Sequence, residues 1–296
     1  MTKKKILVAI VATGKIVDEL IPLIRDLLAQ ADALENASLS IFLSTRFDEE
    51  IMSQLYEKLG HDLERIQCHN SESPIGYFAN LNKALEHYEG EPHDFYVFTN
   101  DDITIHPGFL DDILKCPTER PILYAPLIKD KNGDVQMSVY RKDYTKLGMF
   151  WRINDEGLYT RISSRLGFKV RRPSDINKGR YTVYGCCFIM NALSLKDIGE
   201  LDGDIFLYYE EAYFSVMVKK FGWDCKVLED TEINHVAGAT MTKGYYINRS
   251  RIDMQAALCV AERYMGFNGL QLLALRIFKW IELVVRQITQ SIRNIF

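Results

Sequence analysis

No apolar run in this chain is long enough to cross a bilayer. No strong basic excess is present either. With 36 Lys/Arg against 40 Asp/Glu the formal net charge is −4, which does not fit a nucleic-acid binder as a whole. The six cysteines (Cys68, Cys116, Cys186, Cys187, Cys225 and Cys259) form no C-x-x-C pair, and no Cys/His spacing matches a zinc site. No G-x-G-x-x-G follows the first apolar run, so the dinucleotide fingerprint of an oxidoreductase is missing. The stretch Ala12-Thr13-Gly14-Lys15 is too thin for the glycine-rich, basic phosphate loop of a nucleotidyltransferase. Internal repeats, low-complexity tracts and a clear linker are also missing.

What remains is an ordinary globular composition, 47% hydrophobic and 26% charged, in 296 residues, enough for one large domain or two small ones. Charge is unevenly placed. Residues 140–180 hold eleven Lys/Arg against four Asp/Glu, a net of +7 that leaves −11 elsewhere. Such a segment is either a site for an anionic partner or a solvated loop. Cys186 and Cys187 sit inside an apolar run, Tyr184-Gly185-Cys186-Cys187-Phe188-Ile189-Met190, and read as small core residues in a reducing cytoplasm. Lys3-Lys4-Lys5 followed by a short apolar run reads as a first buried strand rather than a signal peptide.

Buried-strand patterns at 6–12, 39–43, 65–68 and 95–98 alternate with helical patterns at 18–30, 48–59 and 76–88. That alternation argues for an α/β fold with a Rossmann-like, mostly parallel central sheet and helices on both faces. After residue 105 the alternation stops. A further strand is expected at 122–128, a turn at 130–134 and a helix at 212–221, and the two halves are expected to share one sheet.

Two acidic clusters stand out. The strand pattern Phe95-Tyr96-Val97-Phe98-Thr99 runs into Asn100-Asp101-Asp102. Carboxylates ending a central strand are costly unless partnered, and hard oxygen ligands suit a divalent cation. Ligands of open α/β sheets bind at the carboxyl ends of the strands. The second cluster, Glu210-Glu211, opens a helix behind Ile205-Phe206-Leu207-Tyr208-Tyr209. A carboxylate among aromatics is partly desolvated, as a general base requires. A plain solvated helix start is the alternative reading of the same pair.

The tail 269–296 places Leu270, Leu273, Ile277, Trp280 and Ile281 on one stripe, with Arg276, Lys279, Arg286 and Arg293 largely on the other face and Glu282 as its one acid. This C-terminal amphipathic helix suits an anionic membrane surface. Packing on its own domain, or on a second subunit in a homo-oligomer, is the other reading.

In order along the chain, these segments resemble an inverting family 2 glycosyltransferase of the GT-A fold, in its bacterial polysaccharide and rhamnosyltransferase-like branch. The resemblance covers roughly residues 5–250. It rests on Asn70 with Gly76-Tyr77-Phe78-Ala79 and Asn82, on Asn100-Asp101-Asp102, and on the glycine-bearing strand from Tyr184. The block from Glu200 to Glu211, then His235-Val236-Ala237-Gly238, and finally Tyr245-Tyr246-Ile247-Asn248-Arg249 complete it.

The resemblance implies that Asp102, with Asp101 and His235, holds Mn²⁺ or Mg²⁺. It implies that Thr13, Asn82, Asn100, Asp101 and Arg249 serve the nucleotide side, and that Glu211, beside Glu210, is the catalytic base. Residues 1–105 would form the nucleotide-sugar half, 106–265 the acceptor half and 266–296 the membrane helix. The donor would be a nucleotide-diphosphate sugar and the acceptor a lipid-linked oligosaccharide of surface polysaccharide or lipopolysaccharide synthesis. The enzyme would be cytoplasmic, peripheral on the inner face of the cell membrane. Departures are visible. Ser44-Thr45-Arg46-Phe47-Asp48 replaces the family's Asp-rich end of the second strand, Glu210-Glu211 replaces Glu-Asp, and Tyr213 replaces a later Asp. A catalytically degenerate scaffold subunit is therefore the alternative.

Overall fold

The computed structural model describes residues 3–12, 17–135, 144–151, 182–235 and 246–293. Most of the basic segment 140–180, residues 13–16 with Thr13, and the side chain of Arg249 lie outside the described residues. The first half follows the expected alternation: β1 (Lys4–Ala12), α1 (Val17–Asp32), β2 (Ala37–Thr45), α2 (Glu49–Leu59), β3 (Ile66–Asn70), α3 (Tyr77–His87) and β4 (Phe95–Asn100). Helix α2 begins where Asp48 accepts the Ile51 N–H, and it ends where Gly60 takes φ 52.

The second half is less regular: β5 (Ile103–Ile105), α4 (Phe109–Leu114), β6 (Ile122–Lys129), α5 (Lys146–Trp151), β7 (Cys187–Asn191) and α6 (Ala192–Ile198). It closes with α7 (Glu210–Phe221), β8 (Asp224–His235), α8 (Tyr246–Arg263) and α9 (Gly269–Arg293). The expected turn after β6 is present, closed by Gly133 N–H donating to the Asp130 carbonyl.

One eight-stranded sheet runs through both halves in the order β3-β2-β1-β4-β7-β6-β8-β5. Strands β1 to β4 are mutually parallel, while β7 enters antiparallel beside β4. The chain moves outward from β1 through β2 and β3, then returns to β4 on the other side of β1. The order therefore reverses at β1/β4, which makes the carboxyl ends of these strands the crevice of the sheet.

The core is continuous. Strand β1 is buried from Ile6 to Ala12, and Phe95, Phe98 and Phe188 are fully buried with Phe78 and Phe214. The Phe98–Phe188 and Phe188–Phe214 ring pairs, 5.0 and 4.6 Å between centroids, join β4, β7 and α7. Burying such rings supplies about 25 cal/mol for each Å² of apolar surface removed from water. That packing fixes where the strand ends lie. Cys116, Cys186, Cys187 and Cys225 are buried, and the six cysteines are free thiols.

Candidate active site

Strand β4 delivers Asn100-Asp101-Asp102 to the crevice. The Asn100 N–H donates to the Cys186 carbonyl at 2.9 Å, so the end of β4 is pinned to the segment entering β7. The chain then crosses to the far edge of the sheet, where Ile103 pairs with His235 in the β5–β8 ladder. This register brings the Asp102 carboxylate oxygen Oδ1 to 3.4 Å from His235 Nε2. Both residues are buried, and both Asp102 Oδ1 and His235 Nδ1 lack a hydrogen-bond partner among the described residues. The Tyr184 ring stands edge-on to the imidazole with centroids 5.8 Å apart.

Negative charge is crowded here. Burial, then the Asp102 charge and that of Glu19, push the Asp101 carboxyl up to about 7. Burial and Asp102 likewise raise Glu19, in the first turn of α1. Among the described residues no three His, Cys, Asp or Glu side chains gather as a cage for a metal ion. Mg²⁺ and similar ions are commonly held by one or two carboxylates, with substrate phosphates and water completing the shell. A buried carboxylate oxygen that accepts no hydrogen bond, beside an imidazole whose Nδ1 has none, fits that kind of site.

The second acidic pair is carried on a built turn. Gly76, with φ +88, precedes α3, and a Cβ there would lie 2.8 Å from the Phe206 carbonyl oxygen. Only glycine permits both the conformation and the approach. The contact lets the Tyr77 N–H donate to the Phe206 carbonyl at 2.7 Å. Tyr208 and Tyr209 follow with φ 70 and 68, and they are the non-glycine residues of positive φ among those described. Such residues cost about 1–2 kcal/mol each and persist only where their surroundings hold them.

Helix α7 then starts with Glu210 and Glu211, both buried. Glu210 accepts the Tyr208 N–H at 2.8 Å, bracing its own turn. Glu211 Oε1 faces the Gly185 N–H at 3.4 Å. Gly185 is tied to α3 as well, since its carbonyl accepts the buried Tyr77 hydroxyl at 2.9 Å. Burial raises the Cys186 thiol well above its ordinary value, and the charges of Cys187, Asp102 and Glu211 add to the effect. The end of β4 and Glu211, far apart in sequence, thus meet the adjacent residues Cys186 and Gly185, Asn100 through the Cys186 carbonyl and Glu211 through the Gly185 N–H.

Asn82, expected on the nucleotide side, is turned to the protein. Its Nδ2 donates to the Leu201 carbonyl at 2.7 Å and its Oδ1 accepts the Leu201 N–H at 3.1 Å. Asn70 braces the loop after β2, accepting from the Thr45 hydroxyl and the Phe47 N–H.

No family model matches the chain. It is 25% identical over 178 residues to N-acetylglucosaminyl-diphospho-decaprenol L-rhamnosyltransferase of Mycobacterium tuberculosis, covering 54% of this chain and 55% of the relative. The chain thus spans about half the length of the curated relative it matches. S. aureus TarS in complex with UDP-GlcNAc superposes with a TM-score of 0.52 at 18% identity, over 93% of this chain and 70% of that one. The mannosyltransferase PcManGT of Pyrobaculum calidifontis, with GDP-Man and Mn²⁺, superposes with a TM-score of 0.52 at 13% identity, over 98% and 80%. The fold is that of the GT-A glycosyltransferases.

Within the GT-A fold of this chain, three contacts were not legible from motifs alone. Tyr77 joins α3 to Gly185, and Glu19 joins the Asp101-Asp102 cluster. Parallel topology was a usable signal for Glu19, because the start of α1 follows β1 at the same sheet edge. The third contact is Lys279, expected on the polar face of the tail helix. It is buried against its own domain, at 3% exposure.

Proposed function

We propose that this protein is a metal-dependent, inverting glycosyltransferase. It moves a sugar from a nucleotide-diphosphate donor to a lipid-linked saccharide in bacterial surface polysaccharide synthesis. The observation that supports this most is that Asn100, two residues before Asp102, and Glu211 bond to the adjacent residues Cys186 and Gly185, at the point where the strand order reverses.

In this reading the donor lies across the ends of β1 and β4. Asp102, with His235 and Asp101 beside it, would hold Mn²⁺ or Mg²⁺. When bound, that ion supplies positive charge against the departing nucleotide diphosphate. Glu211 takes the proton of the acceptor hydroxyl while that oxygen bonds to the anomeric carbon and the bond to the diphosphate breaks. The displacement is single and inverts the anomeric centre. The Gly185 N–H, at hydrogen-bond reach of Oε1, orients the carboxylate. Glu210 acts through the turn, holding the Tyr208 N–H.

The acceptor class is drawn from the curated relative, whose name specifies a diphospho-decaprenol. The tail helix supports the same class. Leu270, Leu273, Ile277, Trp280, Ile281 and Val285 of α9 are exposed, while Leu275 and Lys279 on the opposite side are buried. No helix among the described residues is long and apolar enough to cross a membrane. An outward stripe of Leu, Ile and Trp, with Arg276 exposed beside it, fits a helix lying in a lipid interface. We therefore read the enzyme as peripheral on the inner face of the cell membrane.

Thermal shift against UDP-GlcNAc, GDP-mannose and dTDP-L-rhamnose, each with Mn²⁺, Mg²⁺ or EDTA, tests the donor side. Stabilisation by one nucleotide sugar that EDTA abolishes is the expected result. Transfer of that sugar to a synthetic polyprenyl-diphospho-GlcNAc tests the acceptor side. No metal-dependent stabilisation by any donor would favour a degenerate scaffold.

A further inference from the structure

We propose that Lys279 is a positioning residue that ties the outward-facing helix α9 to the turn carrying Glu210 and Glu211. The proposal rests on Glu211 being the base.

The side chain of Lys279 is 2% exposed. Its Nζ lies 3.2 Å from Asp253 Oδ2 of α8 and 3.3 Å from Glu282 Oε2, one turn further along α9. The same ammonium sits over the Tyr209 ring, 5.4 Å from its centroid. Burial works against the charge, but Tyr209, Asp253 and Glu282 outweigh it and hold the lysine above its ordinary value. Lys279, Asp253, Glu282 and Tyr209 are thus gathered behind a helix whose other face is exposed and apolar. A buried ionic group is weak evidence for stability, since an apolar residue of similar volume often serves as well. Its specific effect is to fix one arrangement of the elements it joins.

Here the joined element is strained. Tyr209 is fully buried, has φ 68, and is the last residue before α7. Contacts from three sides bear on the strained stretch. The Phe206 carbonyl accepts from Tyr77, the Tyr208 N–H donates to Glu210, and the Tyr209 ring rests under Lys279. The first two come from the crevice itself. The third comes from behind, through the helix read above as the one facing lipid. A shift of the Tyr209 ring moves the start of α7, and Glu211 with it, relative to Gly185. Sub-ångström placement of a base matters, because a displacement of about 1 Å can lower turnover about a hundredfold.

The full-length variants Lys279→Met and Lys279→Arg test this, with the double variant Asp253→Asn/Lys279→Met to relieve the uncompensated carboxylate if the single change impairs folding. Two quantities are measured: kcat and donor KM with the nucleotide sugar that stabilises the chain, and amide hydrogen exchange over residues 205–212. Expected are faster exchange in that peptide and a fall in kcat of about tenfold or more, with KM within about twofold. Lys279→Arg should recover part of kcat, and the double variant should refold without recovering it. Wild-type kcat and exchange, or lost thermal stability with kcat per folded molecule unchanged, would overturn the proposal and leave Lys279 a packing residue. Exchange reports the coupling even if Glu211→Gln proves active, so failure of the base assignment and failure of this proposal are separable.

Discussion

Asp102 and His235 meet at 3.4 Å because Ile103 pairs with His235 across the β5–β8 ladder. A three-residue strand thus sets the position of the carboxylate that precedes it. If this pair is the protein's share of a metal site, changing either member should weaken donor binding only in the presence of the ion. Asp102→Asn is expected to lower the Mn²⁺-dependent affinity by at least about a hundredfold, and His235→Gln by about tenfold to a hundredfold. Isothermal titration with nucleotide sugar, with and without Mn²⁺, measures it. Equal losses with and without the ion would point to a structural role for both.

Gly76→Ala places a methyl group 2.8 Å from the Phe206 carbonyl oxygen and forces alanine to φ +88. The expected loss is about 1–3 kcal/mol in urea unfolding. Turnover should fall further than stability explains, because the displaced Phe206 segment leads directly into Tyr208 and Glu210. A fully stable, fully active Gly76→Ala would remove the turn from the account of the site.

The exposed stripe of α9 makes a third prediction. Ile277→Ser/Trp280→Ser alters two outward residues, 52% and 59% exposed, so the melting temperature should barely change. The partition constant onto phosphatidylglycerol-containing vesicles, read by co-sedimentation, should fall at least about thirtyfold, as about 2–4 kcal/mol of apolar burial in the interface is lost. Unchanged sedimentation together with a change of oligomeric state would identify the stripe as a subunit contact instead.

How much of this was legible beforehand depends on how local each signal is. The β1–β4 alternation was readable because each strand is a short apolar run and each helix carries an apolar stripe. Helix α7 was readable down to its glycine stop at Gly222, which takes φ 68. Strand β5 was not, since three residues carry no usable period. Strand β8 was masked by Glu229, Asp230 and Glu232, which sit beside a register shift between Pro126 and Leu127 of β6. The acidic clusters announced themselves, because ending a buried strand or an aromatic run with carboxylates is costly without a partner.

Side-chain partners were the hidden part. The motif containing Asn82 suggested a ligand contact, whereas its amide bonds to Leu201, a residue brought near only by the fold. Helical spacing grouped Lys279 with the polar face of the tail but gave no hint that this side chain turns inward. Tyr209 and Asp253 receive it there, and both come from other elements.

Glu211→Gln tests the central claim most directly. The substitution keeps the size of the side chain and its reach to the Gly185 N–H, and removes only its basicity. With the nucleotide sugar that stabilises the wild type, and polyprenyl-diphospho-GlcNAc as acceptor, donor binding should stay within about twofold, while transfer falls by about a thousandfold. Transfer at the wild-type rate with binding intact would contradict the account.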